Sequence, residues 1–174
     1  MPFFTLPTSV SVNGEEFSIR SDFRVVLEIL VMLSDPDLSD ADKTEALLRM
    51  FYVERPGNTA AAVEACLGFI SPRKPSPGCP KGLVDWERDF PLIAAPVNRV
   101  LGAECRALPH LHWHSFLAAY LEIGPDCLFS RVLRIREKLR SILCLPEKRL
   151  IKPWLNASRS TLTWKRWLPM ITTM

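Results

Sequence analysis

Hydrophobic and polar residues change their spacing along this chain, and the spacing predicts its secondary structure. In residues 9–19, apolar and polar positions alternate around Asn13-Gly14. Alternation with a period of two is typical of a half-buried strand, and Asn-Gly favours the positive φ angles of a two-residue type I′ turn. We therefore predict an N-terminal β-hairpin.

After the hairpin, apolar residues recur at helical spacing. Ser21 or Asp22 can cap a first helix, which is predicted to end before Pro36. Its apolar stripe consists of Phe23, Val26, Leu27, Leu30 and Val31. A second helix follows the acidic cap at residues 39–42, with the stripe Ala46, Leu47, Met50 and Phe51, and a third helix covers residues 59–70.

Prolines and acidic residues mark the elements that follow. Residues 71–82 contain four prolines and two glycines, which predicts an exposed loop. The acidic residues Asp85, Glu87 and Asp89 fit the first turn of a fourth helix, in which Pro96 is expected to cause a kink. A fifth helix is predicted to begin at Pro109 and to stop at residues 124–125.

A sixth helix is predicted to start near Asp126. Its apolar side consists of Phe129, Val132, Leu133, Ile135 and Leu139, and much of the rest is basic, with Arg131, Arg134, Arg136, Lys138 and Arg140. Such a basic face is more often a solvated or ion-paired surface than a phosphate site, so nucleic-acid binding is not expected. The predicted fold is mainly α: a small bundle of about six helices with an N-terminal β-hairpin.

The charge of the chain changes near Ser141. Residues 1–140 carry 16 Lys and Arg against 18 Asp and Glu, whereas residues 141–174 carry 6 against 1. We therefore divide the chain into a helical domain, residues 1–140, and an atypical basic tail rich in Leu, Pro and Trp, residues 141–174, which is expected to be poorly ordered. The helical domain alone gives no basic footprint for nucleic acid.

Several classes of protein are disfavoured by composition. The longest apolar stretch, residues 25–33, contains Glu28 and is shorter than the ~20 residues of a membrane span. The first residues lack the basic and long apolar regions of a signal peptide, so we expect a cytoplasmic protein. The five cysteines are odd in number and form no CxxC pair, which argues against a disulfide framework and a zinc ribbon.

Candidate chemistry is sparse. On a helix, His110 and His114 would share one face, a geometry that can bind a transition metal with Cys105 or Cys127 as a further ligand. Surface or helix-end histidines are the preferred interpretation, with His112 between them. No catalytic signature surrounds a cysteine, and no phosphate-binding glycine motif is present. The acids at residues 85–89 are interpreted as helix caps. We therefore predict no catalytic, cofactor-binding or metal-binding residue and a protein without enzymatic activity.

Five segments of the chain form a recognisable series: residues 12–17 (VNGEEF), 21–25 (SDFRV), 85–89 (DWERD), 111–116 (LHWHSF) and 129–132 (FSRV). In this order they resemble the bacteriophage gene-product-fifteen family, the tail-assembly chaperones of tailed phages and prophages of Gram-positive hosts. The resemblance covers about residues 9–140, and its most distinctive motif is the aromatic segment at residues 111–116.

The resemblance implies a chaperone that acts in the host cytoplasm and is absent from the mature virion. Its expected partner is the phage tape-measure protein, with the major tail protein as a second candidate, and a homo-oligomer is left open. The expected mechanism is masking of amphipathic helices by an apolar groove with a charged rim. The groove cannot be assigned from the sequence, because every apolar stripe is already interpreted as core.

Residues 141–174 depart from the family's usual polar end. They are either a short extension made by programmed ribosomal frameshifting or a mutated reading frame of a decaying prophage, and we favour the second slightly. Two other functions are kept as alternatives: a head-tail joining or tail-terminating component of the virion, and a metal- or nucleic-acid-binding regulator.

Overall fold

The computed structural model describes residues 5–71 and 83–143, which form one hairpin and six helices. The elements are β1 (Ser9–Val12), β2 (Glu15–Ser18), α1 (Phe23–Ser34), α2 (Asp40–Phe51), α3 (Thr59–Ile70), α4 (Trp86–Leu101), α5 (Trp113–Leu121) and α6 (Leu128–Leu143). The predicted fold class is confirmed. The loop predicted after Ser71 and the tail beyond α6 lie outside the described residues.

The hairpin forms as its sequence predicts. The two strands are antiparallel, and Val10 pairs with Phe17. Asn13 has a φ of 54° and Gly14 a φ of 88°, which are the two positive angles that a type I′ turn requires. The Asn-Gly pair therefore fixes the register in which the two short strands meet.

The chain leaving the hairpin is anchored to the end of α2. Ile19 forms an isolated β-bridge with Tyr52, and the backbone N–H of Arg20 donates to the carbonyl of Phe51 at 2.8 Å. The Tyr52 hydroxyl donates to the carbonyl of Ala62 in α3 at 2.7 Å. These contacts join the hairpin, α2 and α3 into one packed unit.

Local capping signals set where the first four helices begin. Asp22, Ser39, Asn58 and Asp85 each accept a hydrogen bond from a backbone N–H of the first turn of α1, α2, α3 and α4, respectively. This satisfies donors that have no partner inside a helix. α4 continues through Pro91 and Pro96 to Leu101, and Gly102 ends it in the left-handed conformation with a φ of 69°.

The predicted start of the fifth helix is wrong. α5 begins at Trp113, not at Pro109, because the preceding residues are extended and pair with the entry to α1. The N–H of Phe23 donates to the carbonyl of Leu111 at 2.9 Å, and the N–H of Trp113 donates to the carbonyl of Ser21 at 2.7 Å. These long-range hydrogen bonds occupy the carbonyl of Leu111 and the N–H of Trp113, which would bond within the helix if it began at Pro109.

The core lies between helices α1 to α5. Phe23 stacks on Phe116 with ring centroids 4.7 Å apart, and the indole N–H of Trp113 donates to the carbonyl of Ile70 at 2.9 Å. All four residues are almost completely buried. Within the part of the chain described here, no helix is long and apolar enough to cross a membrane.

The apolar side predicted for the last helix is only partly buried. Phe129 is buried and Leu133 packs against the core, but Ile135 is 58% exposed and Leu139 is 53% exposed. The prediction that these two residues belong to the core is therefore wrong. A helical stripe shows which residues share a face, but it does not show whether the bundle supplies a partner for that face.

Candidate partner-binding groove

α1 is apolar on two adjacent faces. The fully buried face consists of Phe23, Val26, Ile29, Leu30 and Leu33. Leu27 and Val31 were predicted to lie on this core stripe, but both are only partly buried, on its edge. These two residues pack against the core but remain partly exposed, so they can line a surface groove.

That second face forms one wall of a groove of about 620 Å³. The opposite wall is the first turn of α4, which contributes Trp86, Glu87 and Phe90. Met32 and Leu38 extend the apolar lining. Volumes of 300–1,000 Å³ are typical of ligand pockets, and an open groove of this size can also receive the apolar side chains of a docked helix.

Charged residues surround the apolar lining. The groove includes two bases, Arg24 and Arg106, and three acids, Glu28, Asp35 and Glu87. An apolar groove with a charged rim is the kind of surface that the resemblance implied, and this groove is a candidate for it. The feature of the sequence that could have revealed the groove is the width of the apolar stripe of α1, which is broader than the single face that a helix buries in a core.

The two arginines of the rim are already paired. Arg24 contacts Asp22 at 3.1 Å and donates to the carbonyls of Arg106 and Leu108. The Nε atom of Arg106 lies 2.7 Å from the Oε1 atom of Glu104. Hydrogen bonds from Arg106 lower the pKa of Glu104 to about 2, so its carboxylate stays charged at neutral pH.

Within residues 5–71 and 83–143, none of the three acids of the rim, Glu28, Asp35 and Glu87, takes part in an ion pair. In the same ranges, the Asp35 side chain accepts a hydrogen bond only from the nearby N–H of Asp37. The groove therefore carries uncompensated negative charge on its rim, which favours a basic partner.

The three acids predicted to cap a helix have different roles. Asp85 is the N-cap of α4 and accepts from the N–H of Arg88 at 3.1 Å, as predicted. Asp89 accepts from the N–H of Asp85 at 2.9 Å and also pairs with Arg136 of α6. Glu87 lies on the groove rim, a position that capping arguments did not reveal.

The histidines do not form the face predicted for a metal site. His110 precedes α5, so His110 and His114 do not share a helix turn. His112 is the N-cap, and its Nδ1 atom accepts from the N–H of His114 at 3.1 Å, while its Nε2 atom lies 2.9 Å from the carbonyl of Pro7. His114 Nε2 lies 3.0 Å from the carbonyl of Phe69. Both ring nitrogens of His112 and the Nε2 atom of His114 are therefore used in structural hydrogen bonds.

The described part of the chain contains no cluster of three or more His, Cys, Asp and Glu residues that could hold a metal. Cys66 is fully buried, and burial raises the pKa of its thiol. Cys105 is also buried, and burial with the neighbouring Glu104 raises the pKa of its thiol. A raised pKa keeps a thiol protonated and poorly nucleophilic, so these two cysteines have the properties of core residues.

The first part of the chain is similar to a known protein family. Residues 5–76, less than half of the chain, match the family described as Bacteriophage Gp15 protein. The resemblance is thus confirmed over the hairpin and α1 to α3, whereas the motifs from Asp85 onward lie outside the match. No curated protein and no solved structure gives a significant match.

The similarity of residues 5–76 to the Gp15 family points to a role in the structure or assembly of a phage particle. The matched residues include the α1 wall of the groove, with Leu27, Glu28 and Val31. The α4 wall, with Glu87 and Phe90, follows the match. The groove is therefore built partly from the Gp15 segment and partly from the helices packed against it.

Proposed function

We propose that this protein is a tail-assembly chaperone, without enzymatic activity, that binds the tape-measure protein in the host cytoplasm. The observation that carries the proposal is the apolar groove between α1 and α4, where Leu27, Val31 and Phe90 are only partly buried. The similarity to the Gp15 family supplies the phage context, and the groove supplies a surface suited to another protein.

The proposed mechanism is reversible masking. A long tape-measure helix with an apolar stripe would associate with other copies through that stripe, since exposed apolar patches drive association. In our proposal, Leu27, Val31 and Phe90 cover successive residues of the stripe at i, i+3 or i+4 and i+7 spacing. Tail-tube subunits would later displace the chaperone as they assemble around the tape-measure protein.

The rim makes this binding selective. The uncompensated acids Glu28, Asp35 and Glu87 favour a stripe flanked by Lys or Arg and disfavour one flanked by acids. Such exposed charges mainly affect the rate of association and the choice of partner, whereas the apolar lining supplies most of the affinity. We therefore expect capture to weaken at high salt without being abolished.

The test is co-expression of the full chain with the tape-measure protein of the same phage, with solubility and co-purification as readouts. Val31→Glu places a charge in the groove and should abolish co-purification. Val100→Glu is the matched control, because Val100 is 46% exposed on α4 and does not line the groove. A circular-dichroism melt of each variant confirms that it is folded.

A chain ending at residue 143 tests whether the helical domain is sufficient. If the full chain and this shorter chain both solubilise the tape-measure protein, the basic tail is dispensable. If neither does, the chaperone proposal is wrong. Detection of the protein in purified virions by mass spectrometry would instead support the alternative of a head-tail joining component.

A further inference from the structure

A second apolar surface that no residue of ranges 5–71 and 83–143 covers lies on α6. Leu128, Val132, Ile135 and Leu139 follow one another at spacings of four, three and four residues, so they share one helix face. Leu128 is 62% exposed, and Ile135 and Leu139 are more than half exposed. We call this set of four residues the α6 stripe. A helix that exposes such a face usually has a partner for it.

The α6 stripe is flanked by basic residues. Arg131, Arg134 and Lys138 lie within one turn of its members. The groove has the opposite character, with an apolar lining and the uncompensated acids Glu28, Asp35 and Glu87 on its rim. The two surfaces are therefore complementary in both apolar character and charge, which is the combination that selects a binding partner.

The lengths of the two surfaces also agree. The α6 stripe spans 12 residues, and α1, which forms one groove wall, has 12 residues as well. At a rise of 1.5 Å per residue, each is about 18 Å long. One helix can therefore lie along the other over its whole apolar length, as in helix-in-groove recognition.

The stripe cannot turn into the groove of its own chain in this fold. Arg136, next to Ile135, is held against α4 by its ion pair with Asp89 and by a hydrogen bond to the carbonyl of Leu83 at 2.9 Å. This anchors α6 on α4 while Ile135 and Leu139 stay exposed. The matching groove that α6 can reach belongs to another molecule.

We propose that the α6 stripe of one copy docks into the α1–α4 groove of a second copy, so that the chain associates head to tail. Such a heterologous interface leaves one free groove and one free stripe on each assembly, and it therefore forms rings or open helical chains. In this arrangement the protein covers its own groove before a client arrives, and a tape-measure segment would compete with α6 for the same surface.

The test measures the mass of the full chain in solution by light scattering over a wide concentration range. We expect the mass to rise above the monomer value of 19.8 kDa as concentration increases, and to rise less at high salt. Val31→Glu in the groove and Ile135→Glu in the stripe should each weaken association at least about tenfold, a change of ~1.4 kcal/mol. Val100→Glu should associate like the unchanged protein.

Mixing the two variants distinguishes this interface from a symmetric one. The Val31→Glu variant retains an intact stripe, and the Ile135→Glu variant retains an intact groove. An equimolar mixture should therefore form a complex of twice the monomer mass that does not grow further, although neither variant forms one alone. Leu139→Glu is a second stripe variant if Ile135→Glu does not fold.

Three results would overturn the proposal: an unchanged protein that stays monomeric at every concentration, stripe variants that still associate, or a mixture that gives no complex. Persistent association of the stripe variants would identify another segment, residues 144–174 included, as the occupant. The proposal is also independent of the chaperone function. Ile135→Glu should still capture the tape-measure protein, since its groove is intact, whereas Val31→Glu should not.

Discussion

The ion pair between Asp89 and Arg136 joins α4 to α6 and should be the most sensitive polar contact of the bundle. The Asp89 side chain is 2% exposed, and the Arg136 side chain is 36% exposed. The two nitrogens of the guanidinium group contact the two carboxylate oxygens at 2.5 and 2.8 Å. Such a two-point pair fixes the orientation of both side chains.

The unequal burial of the partners predicts unequal effects of their removal. Arg136→Met leaves the Asp89 carboxylate buried without its counter-charge, which costs about 3–5 kcal/mol in buried pairs. Asp89→Asn leaves a guanidinium that can turn into solvent, because more than a third of it is already exposed. We expect that change to cost about 1–2 kcal/mol, the usual value of lost hydrogen bonds.

The assay is urea and thermal unfolding of the full chain followed by circular dichroism at pH 7. With a shift of about 2–4 °C per kcal/mol for a protein of this size, Arg136→Met should lower Tm by about 10 °C and Asp89→Asn by about 4 °C. The double variant should lose less stability than the sum of the two changes, because removing both partners leaves no buried charge. Equal effects of the single changes, or strict additivity, would refute the reasoning.

The same pair predicts a response to acid. Burial alone would raise the pKa of Asp89, but the hydrogen bonds from Arg136 and from the N–H of Asp85, with the charge of Arg136, outweigh burial and lower the pKa below its ordinary value. A lowered carboxyl pKa contributes stability above the unfolded pKa of about 3.9. That contribution is lost as pH falls below about 4, and the Asp89→Asn variant should lack this part of the acid response.

Three further changes test the fold. Gly14→Ala should cost about 1 kcal/mol in thermal unfolding, because its φ of 88° strains any residue with a Cβ atom. Burial lowers the pKa of His112. The neutral His112 side chain therefore stabilises the fold fully above the unfolded pKa of about 6.5, and this stabilisation should decline as pH falls below that value. His112→Gln should flatten this part of a pH series of urea unfolding. Trp113→Phe leaves the carbonyl of Ile70 without its indole donor and should cost about 1–3 kcal/mol in the same urea assay at pH 7.

The elements that could be predicted from the sequence are those with local causes. The turn at Asn13-Gly14 needs only two residues that tolerate positive φ, and the caps at Asp22 and Ser39 act on N–H groups two or three residues away. α3 was predicted over residues 59–70 and is found over the same residues. These signals do not depend on the rest of the fold, so they can be recognised in the chain alone.

The start of α5 could not be predicted because its cause is distant in sequence. Leu111 donates its N–H to the side chain of Asp22, 89 residues away, at 3.1 Å, and Trp113 donates to Ser21. Pro109 is acceptable at a helix start, so the local pattern favoured an earlier beginning. The β-bridge between Asp22 and His112 determines the outcome instead.

The candidate site was missed for a related reason. A periodic stripe identifies the residues that share a helix face, but burial depends on which neighbour covers that face. Leu27 and Val31 were interpreted as core but line a groove, and Ile135 and Leu139 were interpreted as core but are exposed. The residues most relevant to partner binding are thus those that the periodic pattern assigned to the interior.

The Gp15 match covers the groove only in part, so similarity to the family accounts for one wall of the groove and not for the other. Residues 5–76 include the α1 wall, but Glu87 and Phe90 of the opposite wall lie beyond the match. That wall is the first turn of α4, where Asp89 is bonded to Asp85 on one side and to Arg136 of α6 on the other. The ion pair therefore positions both the second wall of the groove and the helix that we propose as its occupant in another copy. Since one contact supports both surfaces, a change that loosens it should weaken self-association more than a substitution in either surface alone would suggest.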